Sequence, residues 1–216
     1  MNFKETVYNR HSTRDFSSKS VSTKDIHTII DMAKMAPSWA NDQVWKVVVA
    51  TGKTLEKIKE RHYQALLNGI PGQSEFPPLH RTGMGKQGQK NVTIWSNSLR
   101  TFLGKNTEQM AIDSAHLFNA PSVAYLLLPN SPSLWSAYDL GAFGQTLMLA
   151  ATSIGIDSIP AAEFVQYPQD LHDILDVDNN YIFGIGIGLG YKKDNVLIND
   201  FRSKRMNNSD FLTIKY

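Results

Sequence analysis

Two arginines and a serine alternate near the start of the chain, and their chemistry suits an anion. Residues 10–16 read R-H-S-T-R-D-F and show no helical period. If this segment is extended, Arg10, Ser12 and Arg14 point to the same side, because side chains alternate along a strand. Arginine keeps its charge and donates paired hydrogen bonds, so the pattern predicts a cradle for a phosphate group. The alternative is a solvated basic loop.

A second set of chemically useful side chains lies in residues 36–45, which read A-P-S-W-A-N-D-Q-V-W. Pro37 ends the preceding helix because it lacks a backbone N–H, and a β-branched run at 46–50 predicts a strand. Between them stand a hydroxyl, a large ring and two amides, namely Ser38, Trp39, Asn41 and Gln43. Hydrogen-bonding groups beside a flat ring suit a planar heteroaromatic ligand. The alternative is an ordinary helix–strand corner with a packed tryptophan.

The elements that must position these segments follow from hydrophobic periodicity and from proline, glycine and capping residues. We predict helices over 2–9, 22–37, 54–67, 107–118 and 139–153, and a further helix that begins at Pro168. We predict strands over 46–50, 123–128, 157–159 and 181–189. We interpret Asp139 as the N-cap of its helix rather than as a catalytic acid.

The last predicted strand carries four glycines at two-residue spacing: Gly184, Gly186, Gly188 and Gly190. The pattern is not G-x-G-x-x-G, because Leu189 stands where the third glycine should be, so it does not predict a dinucleotide fingerprint. Period two places the glycines on one face and the large residues Phe183, Ile185, Ile187 and Leu189 on the other. A bulky element, most simply a core helix, is expected against the bare face.

Two other stretches are set apart by their composition. Residues 68–106 contain repeated prolines and glycines that interrupt any regular period, whereas Trp95 and Phe102 argue against disorder. We interpret this stretch as an insertion over the active site that sets substrate choice. Residues 211–216, F-L-T-I-K-Y, alternate like a strand and are expected to pair with another subunit.

Composition indicates one domain over residues 1–216, with 42% hydrophobic residues and a net charge of +2. The charge is spread along the chain, so no nucleic-acid or membrane partner is expected. Cysteine is absent, which excludes disulfides and fits a reducing compartment. The first residues lack the apolar core of a signal peptide, so we expect a cytoplasmic protein. His62, His80 and His116 lack metal-ligand spacing, and no metal is predicted.

The order and spacing of these motifs resemble the FMN-dependent nitroreductase family. The resemblance runs from Arg10 to Arg205 and is most specific in R-H-S-T-R-D-F and A-P-S-W-A-N-D-Q-V-W. It implies an α+β fold, a three-layer α-β-α sandwich of the nitroreductase type. It also implies a homodimer that exchanges its tail and holds FMN at the subunit interface, with NADH or NADPH as co-substrate.

The resemblance further implies a set of cofactor-binding residues. The phosphate and ribityl chain would be held by Arg10, His11, Ser12, Arg14, Lys204 and Arg205, with Arg202 competing with Lys204 for one contact. The flavin would be reached from the partner subunit by Pro37, Ser38, Trp39, Asn41 and Gln43, although Gln43 could serve only to pin the loop. The backbone of Pro160, Ala161, Ala162 and Glu163 would meet the N5 and O4 edge of the ring. A side-chain role for Glu163 is doubtful, because Phe164 replaces the glycine that often follows it.

The implied reaction is a hydride transfer in two half-reactions, from NAD(P)H to flavin N5 and then to a nitroaromatic or quinone acceptor. It requires no acid or base from the protein, because the cofactor carries the chemistry. The basic groups would also stabilise the anionic reduced flavin. Two alternatives stay open. One is another flavin reaction, such as dehalogenation, enoate reduction or flavin cleavage, and the other is a non-enzymatic FMN carrier or sensor.

Overall fold

The computed structural model describes residues 1–76 and 80–216, and a four-stranded antiparallel sheet forms the centre of that part of the chain. The strands are β1 (Lys46–Thr51), β2 (Ser122–Pro129), β3 (Asp157–Ala161) and β4 (Tyr181–Gly190), in the order β1-β2-β4-β3. The helices are α1 (Phe3–Asn9), α2 (Thr23–Ala33), α3 (Gly52–Leu67), α4 (Lys86–Leu103), α5 (Thr107–Ala115), α6 (Leu134–Ser153) and α7 (Pro168–Leu175).

Helices cover both faces of the sheet, which explains why β2 is fully buried. Its odd-numbered residues from Val123 to Leu127 pack into a core with α3 and α7, and its even-numbered residues from Ala124 to Leu128 pack against α2 and α6. A strand buried on both faces has no polar side to show, so its sequence is continuously apolar. The predicted three-layer α-β-α sandwich is confirmed.

The glycine-rich strand β4 differs from the prediction at one position. Leu126 pairs with Ile185 and Leu127 with Phe183, so Gly184 is passed over in a β-bulge. The extra residue turns Phe183 into the α3 and α7 core, whereas Ile187 packs in the α2 and α6 core. The expectation of one uniform glycine face is therefore wrong at its first residue.

The bare face of β4 is covered by a side chain of a loop rather than by a core helix. A Cβ at Gly186 would lie 2.2 Å from Cβ of Phe164, and one at Gly188 would lie 2.8 Å from Cζ of the same ring. Phe164 belongs to the short helical turn Ala162–Val165 that follows β3. The glycines thus let the turn that follows β3 lie directly on the sheet.

Three predicted boundaries are corrected. α6 begins at Leu134, with the hydroxyl of Ser133 accepting from the N–H of Ser136, so Asp139 is inside the helix and is not its N-cap. α5 ends at Ala115, because residues 117–119 all have positive φ, of 51°, 56° and 57°. α2 ends at Ala33, four residues before Pro37.

Residues 208–210 form one short turn, and the tail that follows is exposed and forms no strand within its own chain. Its pairing with another subunit stays a prediction.

The predicted insertion is more regular than expected. Its second half is the 18-residue helix α4, whose Leu99 and Leu103 are buried with Ile198 and Phe201. Gly88 lies inside this helix and is tolerated there. The part of the insertion at 77–79 lies outside the described residues.

Candidate functional site

The segment with the alternating arginines is extended, as predicted. Ser12 forms a parallel bridge with Ser158 of β3, and Phe16 forms an antiparallel bridge with Lys192. The N–H of Thr13 donates to the carbonyl of Ser158 at 3.1 Å. The segment therefore lies along the edge strand β3, immediately beside the start of the loop at Pro160.

Four guanidinium groups from the two ends of the chain gather at this edge: Arg10, Arg14, Arg202 and Arg205. Burial lowers the pKa of Arg10, and the charge of Arg205 lowers it further. Burial likewise lowers the pKa of Arg14, with further contributions from Arg10 and Arg202. Among the described residues, none of the four forms an ion pair with a carboxylate. A cluster of like charges without a carboxylate partner has the chemistry to bind an anion.

The two candidates for the second basic contact, Arg202 and Lys204, differ in their neighbours. Arg202 lies close enough to Arg14 and His11 to contribute to the lowered pKa of both. Its Nη1 donates to the carbonyl of Asn199 at 2.7 Å. Both residues are exposed, and both line the neighbouring cleft. The choice between them for the phosphate contact stays a prediction.

His11 lies beside the arginines, but its ring is turned to a separate cavity. Nδ1 donates to the carbonyl of Asn9 at 2.8 Å, and burial is the largest cause of a lowered pKa. Nε2 is buried and has no hydrogen-bond partner among the described residues. His11, Asp157 and Arg202 line a cavity of about 330 Å³ that the sequence did not predict.

The loop with Trp39 is held in an unusual backbone conformation. Ala40, Asn41 and Gln43 have positive φ of 49°, 60° and 47°, which costs side-chain-bearing residues energy. Two polar contacts stabilise it. The carboxylate of Asp139 accepts from the N–H of Trp39 at 2.9 Å, and the hydroxyl of Ser38 accepts from the N–H of Gln43 at 3.0 Å.

These contacts assign roles that the sequence did not show. Asp139 lies 100 residues from Trp39, so no local pattern could have linked them. The side chain of Trp39 is 61% exposed, and Pro37, Asn41 and Gln43 are exposed as well. The loop is fixed by its backbone while its side chains face outward, which is the arrangement a binding loop requires.

The third predicted segment, 160–163, begins inside β3, which extends to Ala161 and not to Ile159 as predicted, and continues into the turn Ala162–Val165. Pro160 and Ala162 are exposed, whereas Phe164 is buried on the glycine face of β4. Glu163 is turned inward, with Oε1 3.1 Å from Nε2 of the buried His62 and Oε2 accepting from Gln166 at 3.0 Å. The carboxylate of Glu163 thus anchors the loop and leaves its backbone for a ligand.

Helix α4 and the C-terminal segment 200–211 enclose a cleft of about 1550 Å³. Nε1 of Trp95 donates to the hydroxyl of Ser203 at 3.1 Å, and Nδ2 of Asn91 donates to the sulfur of Met206 at 3.0 Å. Aromatic and basic side chains line the walls, among them Lys90, Phe102, Arg202, Lys204, Arg205 and Phe211. The insertion therefore borders the same basic segment that completes the arginine cluster.

The three predicted site segments do not all meet within one chain. The arginine cluster lies beside the 160–163 segment through the Ser12 and Ser158 bridge. Among the described residues, no side-chain hydrogen bond links loop 37–43 to segment 10–14, and its recorded long-range partner is Asp139. No group of three potential metal-binding side chains occurs in residues 1–76 and 80–216, and no helix described there could span a membrane.

Comparison with known proteins identifies relatives of this architecture. The nitroreductase family model matches residues 7–191. Nitroreductase NfnB of Mycolicibacterium smegmatis is 30% identical over 210 residues, with coverage of 92% of this chain and 86% of that protein. A 4-nitrobenzoate reductase of Pseudomonas putida is 27% identical over 214 residues, covering 94% and 91%.

A solved structure shows the same fold over the whole chain. The FMN-dependent nitroreductase NfnB from Mycobacterium smegmatis, in complex with NADPH, superposes with a TM-score of 0.91 at 27% identity. That match covers 99% of this chain and 97% of the solved one. With the family model matching most of its length, this chain belongs to the nitroreductase family.

Proposed function

We propose that this protein is an FMN-dependent oxidoreductase that uses NAD(P)H to reduce nitroaromatic compounds, with quinones as further acceptors. The observation that carries the proposal is the cluster of Arg10, Arg14, Arg202 and Arg205, which has no carboxylate partner among the described residues. It lies beside a loop whose exposed backbone adjoins the sheet. The named nitroreductases that match over nearly the whole chain support the same activity.

The residues present fit FMN at both of its ends. The phosphate would be held by the arginine cluster together with Ser12, since guanidinium groups bind phosphate through paired hydrogen bonds. The 160–163 segment would receive the edge of the flavin ring, and its alanines have no long side chain that would block the approach. FMN held by these residues would supply the redox chemistry, a hydride transfer from nicotinamide to acceptor.

The protein's own contribution is positioning and electrostatics. Four positive charges, two of them on the half-buried Arg10 and Arg14, favour negative charge nearby, both on the phosphate and on a reduced ring. The contact between His62 and Glu163 fixes the loop, and Phe164 packs it against the glycine face of β4. No side chain is required as acid or base in this scheme.

We also propose that the working unit is a homodimer in which loop 37–43 reaches the flavin of the partner subunit. Large apolar side chains near this loop are exposed in one chain: Trp39 at 61%, Trp135 at 62%, Tyr138 at 65% and Leu134 at 90%. An exposed apolar surface of this kind is typical of a protein–protein interface. The exposed residues Phe211, Leu212 and Ile214 support the prediction that the tail pairs with the partner. Analytical ultracentrifugation tests the dimer, and a purely monomeric species would contradict it.

The test of function is anaerobic reduction. The purified protein is expected to absorb near 450 nm, to bleach with NADH or NADPH and to regain its colour with 4-nitrobenzoate or menadione. A bound flavin that neither nicotinamide reduces would indicate a carrier or sensor instead. Faster turnover with halogenated phenols or enoates than with nitroaromatics would favour the other flavin reactions. Arg10→Ala should weaken FMN binding by about tenfold or more, because a hydrogen bond to a charged group is lost.

A further inference from the structure

A single buried amide connects the two halves of the arginine cluster. Asn199 is only 2% exposed, and its Oδ1 accepts from the N–H of Arg14 at 2.8 Å and from the N–H of Asp15 at 3.2 Å. Its Nδ2 donates to the carbonyl of Asp15 at 2.7 Å and to that of Lys193 at 3.3 Å. Each partner is a backbone N–H, which can only donate, or a backbone carbonyl, which can only accept. The amide therefore satisfies all four partners in only one orientation.

The main chain of the same residue holds a second arginine. The carbonyl of Asn199 accepts from Nη1 of Arg202 at 2.7 Å. Asn199 therefore fixes the backbone at Arg14 with its side chain and the guanidinium of Arg202 with its carbonyl. These two arginines are 188 positions apart in sequence, yet Arg202 adds to the effects of burial and of Arg10 in lowering the pKa of Arg14.

The surroundings show why an amide suits this position. Asp15, which follows Arg14, is held by its own contacts, because its carboxylate accepts from Nδ2 of Asn119 at 2.9 Å and lies 3.3 Å from Nζ of Lys193. A neutral amide can satisfy four backbone groups without adding a negative charge beneath the arginines. The full positive charge of the cluster is then left for a phosphate.

We propose that Asn199 is a positioning residue that sets the spacing of Arg14 and Arg202, and through them the preference for phosphorylated over unphosphorylated flavin. The inference rests on the proposed assignment of the arginine cluster to the FMN phosphate. Asn199 itself touches no ligand in this scheme. Its effect should therefore fall on the phosphate end of the cofactor and spare the ring.

The experiment compares FMN with riboflavin, which lacks the phosphate. Dissociation constants of both are measured by fluorescence titration of the full-length apoprotein, for the wild type and for Asn199→Leu, Asn199→Ser and Arg14→Ala. Asn199→Leu should weaken FMN binding about tenfold, since buried N–H groups lose their acceptor, and should change riboflavin binding less than about twofold. If the leucine variant does not fold, the smaller serine variant decides the outcome.

His172→Gln is the matched control. His172 is also buried, donates from Nδ1 to the carbonyl of Val177 at 2.8 Å and contacts Glu75 through Nε2 at 3.0 Å. His172 lies away from the cluster, so its substitution should lower stability. It should leave unchanged the ratio of the riboflavin dissociation constant to the FMN dissociation constant.

Each outcome has one meaning. Equal weakening of FMN and riboflavin in the Asn199 variants would overturn the inference, because it would show a general structural role. The riboflavin-to-FMN ratio could also stay unchanged in the Asn199 variants but fall in Arg14→Ala. That result would overturn the inference and leave the proposed function intact. An unchanged ratio in Arg14→Ala as well would show that the cluster does not bind the phosphate, and both proposals would fail.

Discussion

Substitution of Gly186 by alanine tests whether the loop at 160–165 depends on the bare face of β4. The new methyl group would lie 2.2 Å from Cβ and 2.9 Å from Cγ of Phe164. Ordinary contact begins at 3.4 Å, so the loop or the strand must move by about 1.2 Å. Overpacking of this kind costs roughly 1–3 kcal/mol of the free energy of unfolding.

The displacement should also reduce activity, because Phe164 directly follows the segment assigned to the flavin. A shift of about 1 Å in a positioning group can lower the rate by about 100-fold. We expect Gly186→Ala to lower kcat/KM for NADPH-dependent nitro reduction by at least about tenfold. The assays are urea denaturation and steady-state kinetics on the FMN-saturated enzyme. Ile185→Val is the matched control, since it should destabilise the same strand by roughly 1 kcal/mol without moving the loop.

Gly188 allows the predicted clash with Phe164 to be assigned to a single atom of its side chain. A Cβ at Gly188 would lie nearest to Cζ of Phe164, at 2.8 Å, and next to Ile159 at 3.1 Å. Phe164→Ala removes Cζ but keeps Cβ. It should therefore relieve Gly188→Ala in a double-mutant cycle and leave most of the strain of Gly186→Ala, with coupling energies that differ by about 1 kcal/mol. Equal relief at both glycines would refute the reasoning.

Three further predictions concern buried polar groups. Tyr125→Phe should raise the free energy of unfolding by about 1 kcal/mol in urea titration, because the buried hydroxyl has no partner among the described residues; a large loss would reveal one. Burial raises the pKa of Asp113, so the folded state disfavours its charged form. At pH values above that pKa, Asp113→Asn should then raise the melting temperature. The gain should vanish as the pH falls below the usual pKa of aspartate, and a gain that persists in acid would contradict this. Asp139→Ala should speed hydrogen exchange at the N–H of Trp39 by about tenfold or more, since a hydrogen bond to a charged group is worth roughly 1.5–3 kcal/mol, and unchanged exchange would show that the contact does not hold the loop.

The regular elements could be predicted because each is governed by local sequence. The capping hydroxyl of Ser22 marks the start of α2, and the apolar run of β2 marks a strand buried on both faces. Pro37 limited the end of α2 less closely, since the helix ends at Ala33. The extended segment 10–14 was also predictable from its lack of a helical period. α6 was placed too late because the cap at Ser133 is followed by exposed Leu134 and Trp135, which do not resemble the start of a core-facing helix.

The bulge at Gly184 could not be predicted, because it depends on the register between β2 and β4. A strand pattern gives the alternation of side chains but not the point at which a partner skips a residue. The prediction that a core helix covers the glycine face was wrong for a related reason. Phe164 lies only about 20 residues before Gly186, yet a turn residue shows no period that would indicate packing on a sheet.

The candidate site was predictable in its residue types and not in its connections. Arg10 and Arg14 were found through their alternation, which is a local signal. Asn199 gave no signal, because its value lies in four contacts to backbone groups elsewhere in the fold. Polar residues that position others are therefore missed when only the residues with obvious chemistry are sought.

Backbone strain in the loop with Trp39 supports its assignment to a ligand. Ala40, Asn41 and Gln43 hold positive φ, and alanine gains nothing locally from that conformation. The contact with Asp139 offsets part of this cost, although the ring it positions remains largely exposed. The exposed indole is therefore held in place by a buried carboxylate and a strained turn, which is consistent with contact to a group outside its own chain. The cofactor of the proposed partner subunit would be such a group, since the arginine cluster of the same chain lies beside a different segment.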